Sequence, residues 1–78
     1  LKSAYRSGHQ GRPGWKIVID YDEGLVEALK RRIPHTERTW NPEYQYWWVS
    51  DTYVPTLLEL VPALEQFVNQ PAFPGMEL

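Results

Sequence analysis

The stretch Arg38-Thr39-Trp40-Asn41-Pro42-Glu43-Tyr44-Gln45-Tyr46-Trp47-Trp48-Val49 decides the fold. Glu37–Trp40 and Tyr44–Val49 are rich in Thr, Tyr, Trp and Val, which favour strands, and Asn41-Pro42-Glu43 between them is turn chemistry. Two strands and a short turn make a hairpin. In a strand, alternate side chains point to opposite faces. Alternation puts Tyr44, Tyr46 and Trp48 on one face and Gln45, Trp47 and Val49 on the other, so both faces carry aromatic rings. Trp40, Trp47 and Val49 are expected to enter the core. Tyr44, Tyr46 and Trp48 are then expected on the opposite face, either covered by Lys or Arg stems or by the N-terminal residues, or available to a partner.

Upstream, Trp15, Ile17, Ile19 and Tyr21 alternate with Lys16, Val18 and Asp20, the pattern of a strand over 15–21 with one buried face. Asp22 suits an N-cap, Glu23 suits the positive first turn of a helix, and Leu25, Val26, Leu29 and Ile33 follow at helical spacing. Pro34 disfavours helical geometry at Ile33 and closes the helix, predicted over Glu23–Arg32. Downstream, Asp51 or Thr52 can cap a second helix whose stripe is Leu57, Leu58, Val61, Leu64 and Phe67. Pro62 would remove an interior backbone donor there, so a kink or break is expected near Val61.

These readings give an α+β fold: a single small β-α-β-β-α domain with a three-stranded, mostly antiparallel sheet and two helices on one face. Residues 1–14, with Gly and polar residues and no apolar period, read as a flexible N-terminal arm. Residues 15–68 are the folded domain, and 69–78 are a Pro-rich tail. Leu1 in place of Met is what an excised or processed domain would show.

Seventy-eight residues make one domain with a thin core. Its four Trp and five Tyr compensate, because each ring can bury about 150–250 Å². There is no cysteine, hence no disulfide and no thiolate metal site. No apolar run approaches the ~18 residues of a membrane span, and residues 1–6 lack a signal-peptide core. A cytoplasmic location is expected, with nucleoid association if the chain binds DNA.

The net charge of −2 hides an asymmetry. All eight Lys and Arg lie in residues 1–38 against five carboxylates, a balance of +3, and 39–78 carry −5. Such segregation creates a local positive field on an acidic protein, without the charge of a tight nonspecific DNA binder. Lys30-Arg31-Arg32 is the densest basic cluster. It either complements the C-terminal dipole of its helix or meets phosphate, with one or two of its members joining Arg38 and Lys16. Arg38 shares a sheet face with Trp40, where it can pair with a carboxylate under the helices or emerge at the hairpin edge. Lys2, Arg6 and Arg12 of the arm are further candidate phosphate contacts.

Catalysis finds no constellation. His9 and His35 are not at metal-ligand spacing, no serine sits in a nucleophile elbow, and the glycines at 8, 11 and 14 precede a strand where a phosphate-binding loop follows one. Asp20, Asp22 and Glu23 are explained by capping and a solvated strand end. No enzyme activity, cofactor or metal is expected of this chain.

The pattern Trp15-x-Ile17-x-Ile19-x-Tyr21, Leu25-Val26-x-x-Leu29-Lys30, Arg38-x-Trp40-Asn41-Pro42 and Trp47-x-Val49 resembles the HARP (HepA-related protein) domain. That module accompanies SNF2-type annealing helicases and has relatives among small bacterial and phage proteins. The resemblance spans residues 15–65. It implies a noncatalytic module that engages forked or branched DNA for its helicase. Trp15, Ile17, Ile19, Leu25, Leu29, Trp40 and Trp47 would be framework, with Arg38 and residues near Lys30 on the DNA side. Where such domains carry basic residues before the second hairpin Trp, this chain has Tyr44, Gln45 and Tyr46, and Trp48 stands where a small or polar residue is usual.

The expected ligand is therefore single-stranded or branched DNA, in the service of a helicase or of replication and repair machinery. Lys16, Lys30, Arg31 and Arg38 would meet phosphates, and Tyr44, Tyr46 and Trp48 would stack on bases. The alternative is a protein-interaction module of phage or plasmid type using Tyr44, Tyr46 and Trp48. A homodimer through the open sheet face is a third reading.

Overall fold

Two strands far apart in sequence pair at the centre of this fold, and each is flanked by a strand adjacent to it in the chain. The structure is a computed structural model, and it describes residues 1–68. Four strands, β1 (Ser3–Arg6), β2 (Gly14–Val18), β3 (Arg38–Asn41) and β4 (Tyr46–Ser50), form one sheet in the order β1-β2-β4-β3, every neighbouring pair antiparallel. β2 and β4 are the central strands. Their register, Trp15 opposite Val49 and Ile17 opposite Trp47, aligns the alternating apolar residues read from the sequence.

The helices are α1 (Glu23–Arg32), α2 (Val54–Leu60) and α3 (Glu65–Val68), with 3₁₀ turns at His35–Glu37, Asp51–Tyr53 and Pro62–Leu64. α1 has the predicted bounds. The Asp22 carboxylate accepts a hydrogen bond from the Leu25 N–H at 3.0 Å, and the chain turns extended at Ile33 before Pro34. The second helical segment breaks at Val61, as Pro62 requires. α2 packs on α1 and β4, and α3 packs on β1. Between helices and sheet lies one cluster: Ala4, Trp15, Ile17, Trp47 and Val49 from the strands, Leu29, Ile33, Leu57, Val61 and Leu64 from the helical segments. Fully burying one such aliphatic side chain contributes about 1.5–3 kcal/mol.

Three expectations need correction. The sheet has four strands and not three, and the described residues hold three helices and not two. The extra strand comes from the supposed arm. Ser3–Arg6 pairs with Val18–Trp15, satisfying the edge of β2 that β4 leaves free. Gln10 and Gly11, with φ of 53° and 79°, turn the chain between a bridged His9 and Arg12. That left-handed pair is the geometry of a tight two-residue hairpin turn, which Gly11 accommodates without a Cβ penalty. The first long strand also ends at Val18 and not at Tyr21, leaving Tyr21 exposed. The expected tail at 69–78 lies outside the described residues.

Candidate nucleic-acid interface

Trp48 was expected on the open sheet face, and alternation does place it opposite Trp47. It is nevertheless only 1% exposed. The loop between β1 and β2 folds over it. The indole Nε1 donates to the Ser7 carbonyl at 2.8 Å, the His9 ring packs at 5.1 Å, and the Arg12 guanidinium lies 5.7 Å from the indole centroid. Arg12 is itself anchored, donating to the Glu37 carboxylate at 2.6 Å and to the Thr36 carbonyl at 2.8 Å. Ser50 Oγ donates to the same Glu37 oxygen at 2.6 Å. The hydrogen bonds from Arg12 and then Ser50 hold the Glu37 carboxyl below its ordinary value of 4.5, against a smaller upward push from burial. Trp48 thus forms a second small core on the helix-free face, and as a base platform it is withdrawn.

The other candidates divide between the two sheet faces. On the helix side, an open groove of about 730 Å³ runs between the sheet end and α1. Trp40, Trp47, Tyr44 and Tyr21 supply rings, Val26 supplies apolar wall, and Lys30, Arg38 and the Lys2–Asp20 pair supply charge. Trp40, expected in the core, is 45% exposed because β3 is an edge strand with nothing beyond it. Its inner side packs on buried Trp47 at 5.2 Å between ring centroids. Tyr44 is 70% exposed and belongs to the groove, not to the face of Tyr46. The hairpin loop is the reason. Asn41 Oδ1 accepts the Tyr44 N–H at 2.8 Å and Gln45 takes a left-handed φ of 56°, so strand alternation begins only at Tyr46.

Arg38 does not take up the carboxylate pairing read from the sequence: among the described residues none of the ion pairs includes it, and it lines the groove instead. Its Nε donates to the Ile33 carbonyl at 2.7 Å and one Nη approaches the Lys30 carbonyl at 3.4 Å, satisfying orphan carbonyls at the C-terminal end of α1. No carboxylate of the described residues lies within ion-pair distance of Arg38 or Lys30, although Lys2, Arg6, Arg12 and Arg32 all have one. Arg38 is therefore oriented by backbone while no acid among the described residues pairs with its charge. Arg31, also expected to contact phosphate, is exposed on α1 and does not line the groove.

Lys16 and Tyr46 are brought together on the helix-free face. The Lys16 Nζ lies 4.6 Å from the Tyr46 ring centroid and 6.0 Å from that of Tyr5, and Asn41 Nδ2 approaches the Tyr46 hydroxyl at 3.4 Å. Lys2, a candidate phosphate contact, does line the groove, whereas Trp40, Tyr21 and Asp20 were missed as site residues. The available signal was the asymmetric hairpin itself: a Trp on a strand with only one neighbour cannot be covered on every side.

No family model matches the chain, and neither a curated protein nor a solved structure matches it significantly. Geometry carries the functional argument. Among the described residues, no three His, Asp or Glu side chains gather as a metal site would need, and no helix is long and apolar enough to cross a membrane.

Proposed function

We propose that the chain is a noncatalytic, HARP-like nucleic-acid-binding module for single-stranded or branched DNA, accessory to a helicase or to replication and repair machinery in the cytoplasm. One observation carries the reading: the half-exposed Trp40 ring, backed by buried Trp47, stands beside two cations, Lys30 and Arg38, that no carboxylate of the described residues neutralises. Unpaired bases need an aromatic surface and their phosphates need nearby positive charge, and the groove offers both. Tyr44 and Tyr21 extend the platform. Duplex interiors hide base faces, so the groove favours single strands and the unpaired arms of forks.

The test is a fluorescence titration with single-stranded and forked DNA at low and moderate salt. A base stacked on Trp40 contributes about 1–3 kcal/mol, so Trp40→Ala should weaken binding by roughly 5- to 150-fold. Phosphate contacts by Lys30 and Arg38 give an expected log–log salt slope of about −1.4. Absence of binding even at low salt would overturn the proposal.

A further inference from the structure

We infer that a bound strand does not end in the groove but turns round the sheet end and continues onto the helix-free face, where Lys16 receives a phosphate between Tyr5 and Tyr46. This rests on the single-strand reading of the groove and adds its path and its second contact surface.

Continuity comes first. Val18 and Gln45 line the groove, yet Val18 shares the strand face of Lys16, and Gln45 directly precedes Tyr46. The groove rim and the helix-free face are therefore one surface, bent around the hairpin end of the sheet. Charge comes second. Among the described strand residues of the helix-free face, Ser3, Tyr5, Gly14, Lys16, Val18, Thr39, Asn41, Tyr46, Trp48 and Ser50 by register, Lys16 is the one ionised side chain. It stands on a central strand, with no carboxylate within ion-pair distance among the described residues. A phosphate arriving there meets a cation that no carboxylate of the described residues pairs with, the Glu37 carboxylate of this face being bound to Arg12 and Ser50.

Ring geometry comes third. The Lys16 ammonium rests over the Tyr46 ring at 4.6 Å, so tyrosine faces and not an ion pair hold it in place. A cation held this way can accept an anion without breaking a salt bridge. The end of this face at Gly14 and Ser50, over which the Trp48 indole lies, is roofed by the loop between β1 and β2. The path is thereby confined to the half beside the groove, and the two surfaces lead into one another.

The test compares oligothymidylates of about 4 and about 12 nucleotides, within the span of small single-strand sites. Wild type and Lys16→Gln are each titrated by fluorescence anisotropy at several salt concentrations. The inference expects Lys16→Gln to weaken the long oligonucleotide and to flatten its log–log salt slope by about 0.7, while the short one is unchanged. Equal weakening of both lengths, or no effect on either, overturns the path while leaving the groove intact. If neither length binds wild type at low salt, the groove reading falls and the path with it. Tyr46→Leu keeps apolar bulk in the strand but removes the ring. It should repeat the long-strand defect with unchanged circular dichroism.

Discussion

Gly14→Ala tests the seating of Trp48. Gly14 lies on β2 opposite Ser50, beneath the covered indole. A Cβ built there would stand 2.5 Å from the Val49 carbonyl oxygen and 2.6 Å from Cε2 and Cζ2 of Trp48. Carbon pairs pack best at about 3.5–4.0 Å, so the overlap with the indole is about 1 Å. Gly14 does not have a left-handed φ, so the cost arises from this overlap and not from backbone preference. Relief has two routes. The indole can tilt, giving up its 2.8 Å hydrogen bond to Ser7 and its packing on His9, or β2 can retreat from β4. Overpacking costs about 1–3 kcal/mol, and an orphaned buried indole donor about 1–3 kcal/mol more. A total of about 2–6 kcal/mol lowers Tm by roughly 8–48 °C in a domain of this size. Far-UV circular dichroism melts measure the shift, and tryptophan emission should move red if the indole is uncovered. A Tm within about 2 °C of wild type would show that the indole does not rest on Gly14. Gly11→Ala is the counterpart, because its new Cβ meets nothing within 4 Å while its φ is +79°. Its cost, about 1–2 kcal/mol, would come from backbone conformation alone.

Other consequences can be checked separately. Asp22→Ala removes the α1 cap and should cost about 1 kcal/mol, read as a shift in the urea midpoint at constant slope. The depressed Glu37 carboxyl contributes stability above its ordinary value of 4.5, and that contribution is lost as pH falls from there through the lowered folded value. Urea midpoints followed through that acid range should therefore fall less steeply for Glu37→Gln than for wild type; parallel acid limbs would refute the assignment. Lys30→Ala should weaken DNA binding and reduce the magnitude of the salt slope by about 0.7, whereas Arg31→Ala, outside the groove, should leave both unchanged in the same titration.

How much was legible depends on whether a signal is local. α1 carries its own instructions: a cap at Asp22, an apolar stripe and a proline after Ile33, and its bounds follow from them. The break at Val61 is equally local, since Pro62 has no N–H to offer. β1 is different. Ser3-Ala4-Tyr5-Arg6 has one buried residue, Ala4, and becomes a strand because β2 presents an unpaired edge. The strand alternation of β4 correctly separated Trp47 from Trp48. What lies over Trp48 was decided by residues about forty positions upstream, beyond any local period. Tyr44 was misplaced for a smaller reason. The turn runs through Gln45, and strand alternation cannot be counted back across a left-handed residue. For Arg38 the carboxylate expected under the helices is not there; the helix end beside it presents backbone carbonyls that orient its guanidinium, and composition does not advertise them.

The strand order β1-β2-β4-β3 also has a consequence in time. During synthesis β1 and β2 emerge first, yet a two-stranded hairpin alone is marginal in water. Its roofing loop has no indole to cover until Trp48 arrives, and β2 has no second neighbour until β4 does. Closing the roughly thirty residues between the central strands is an entropic cost met in one step, when the adjacent Trp47 and Trp48 dock on opposite sides of the sheet. A nascent chain stopped before Trp47 would lack the means to order its own beginning. One two-residue stretch in mid-chain thus sets the moment at which the N-terminal half acquires its structure.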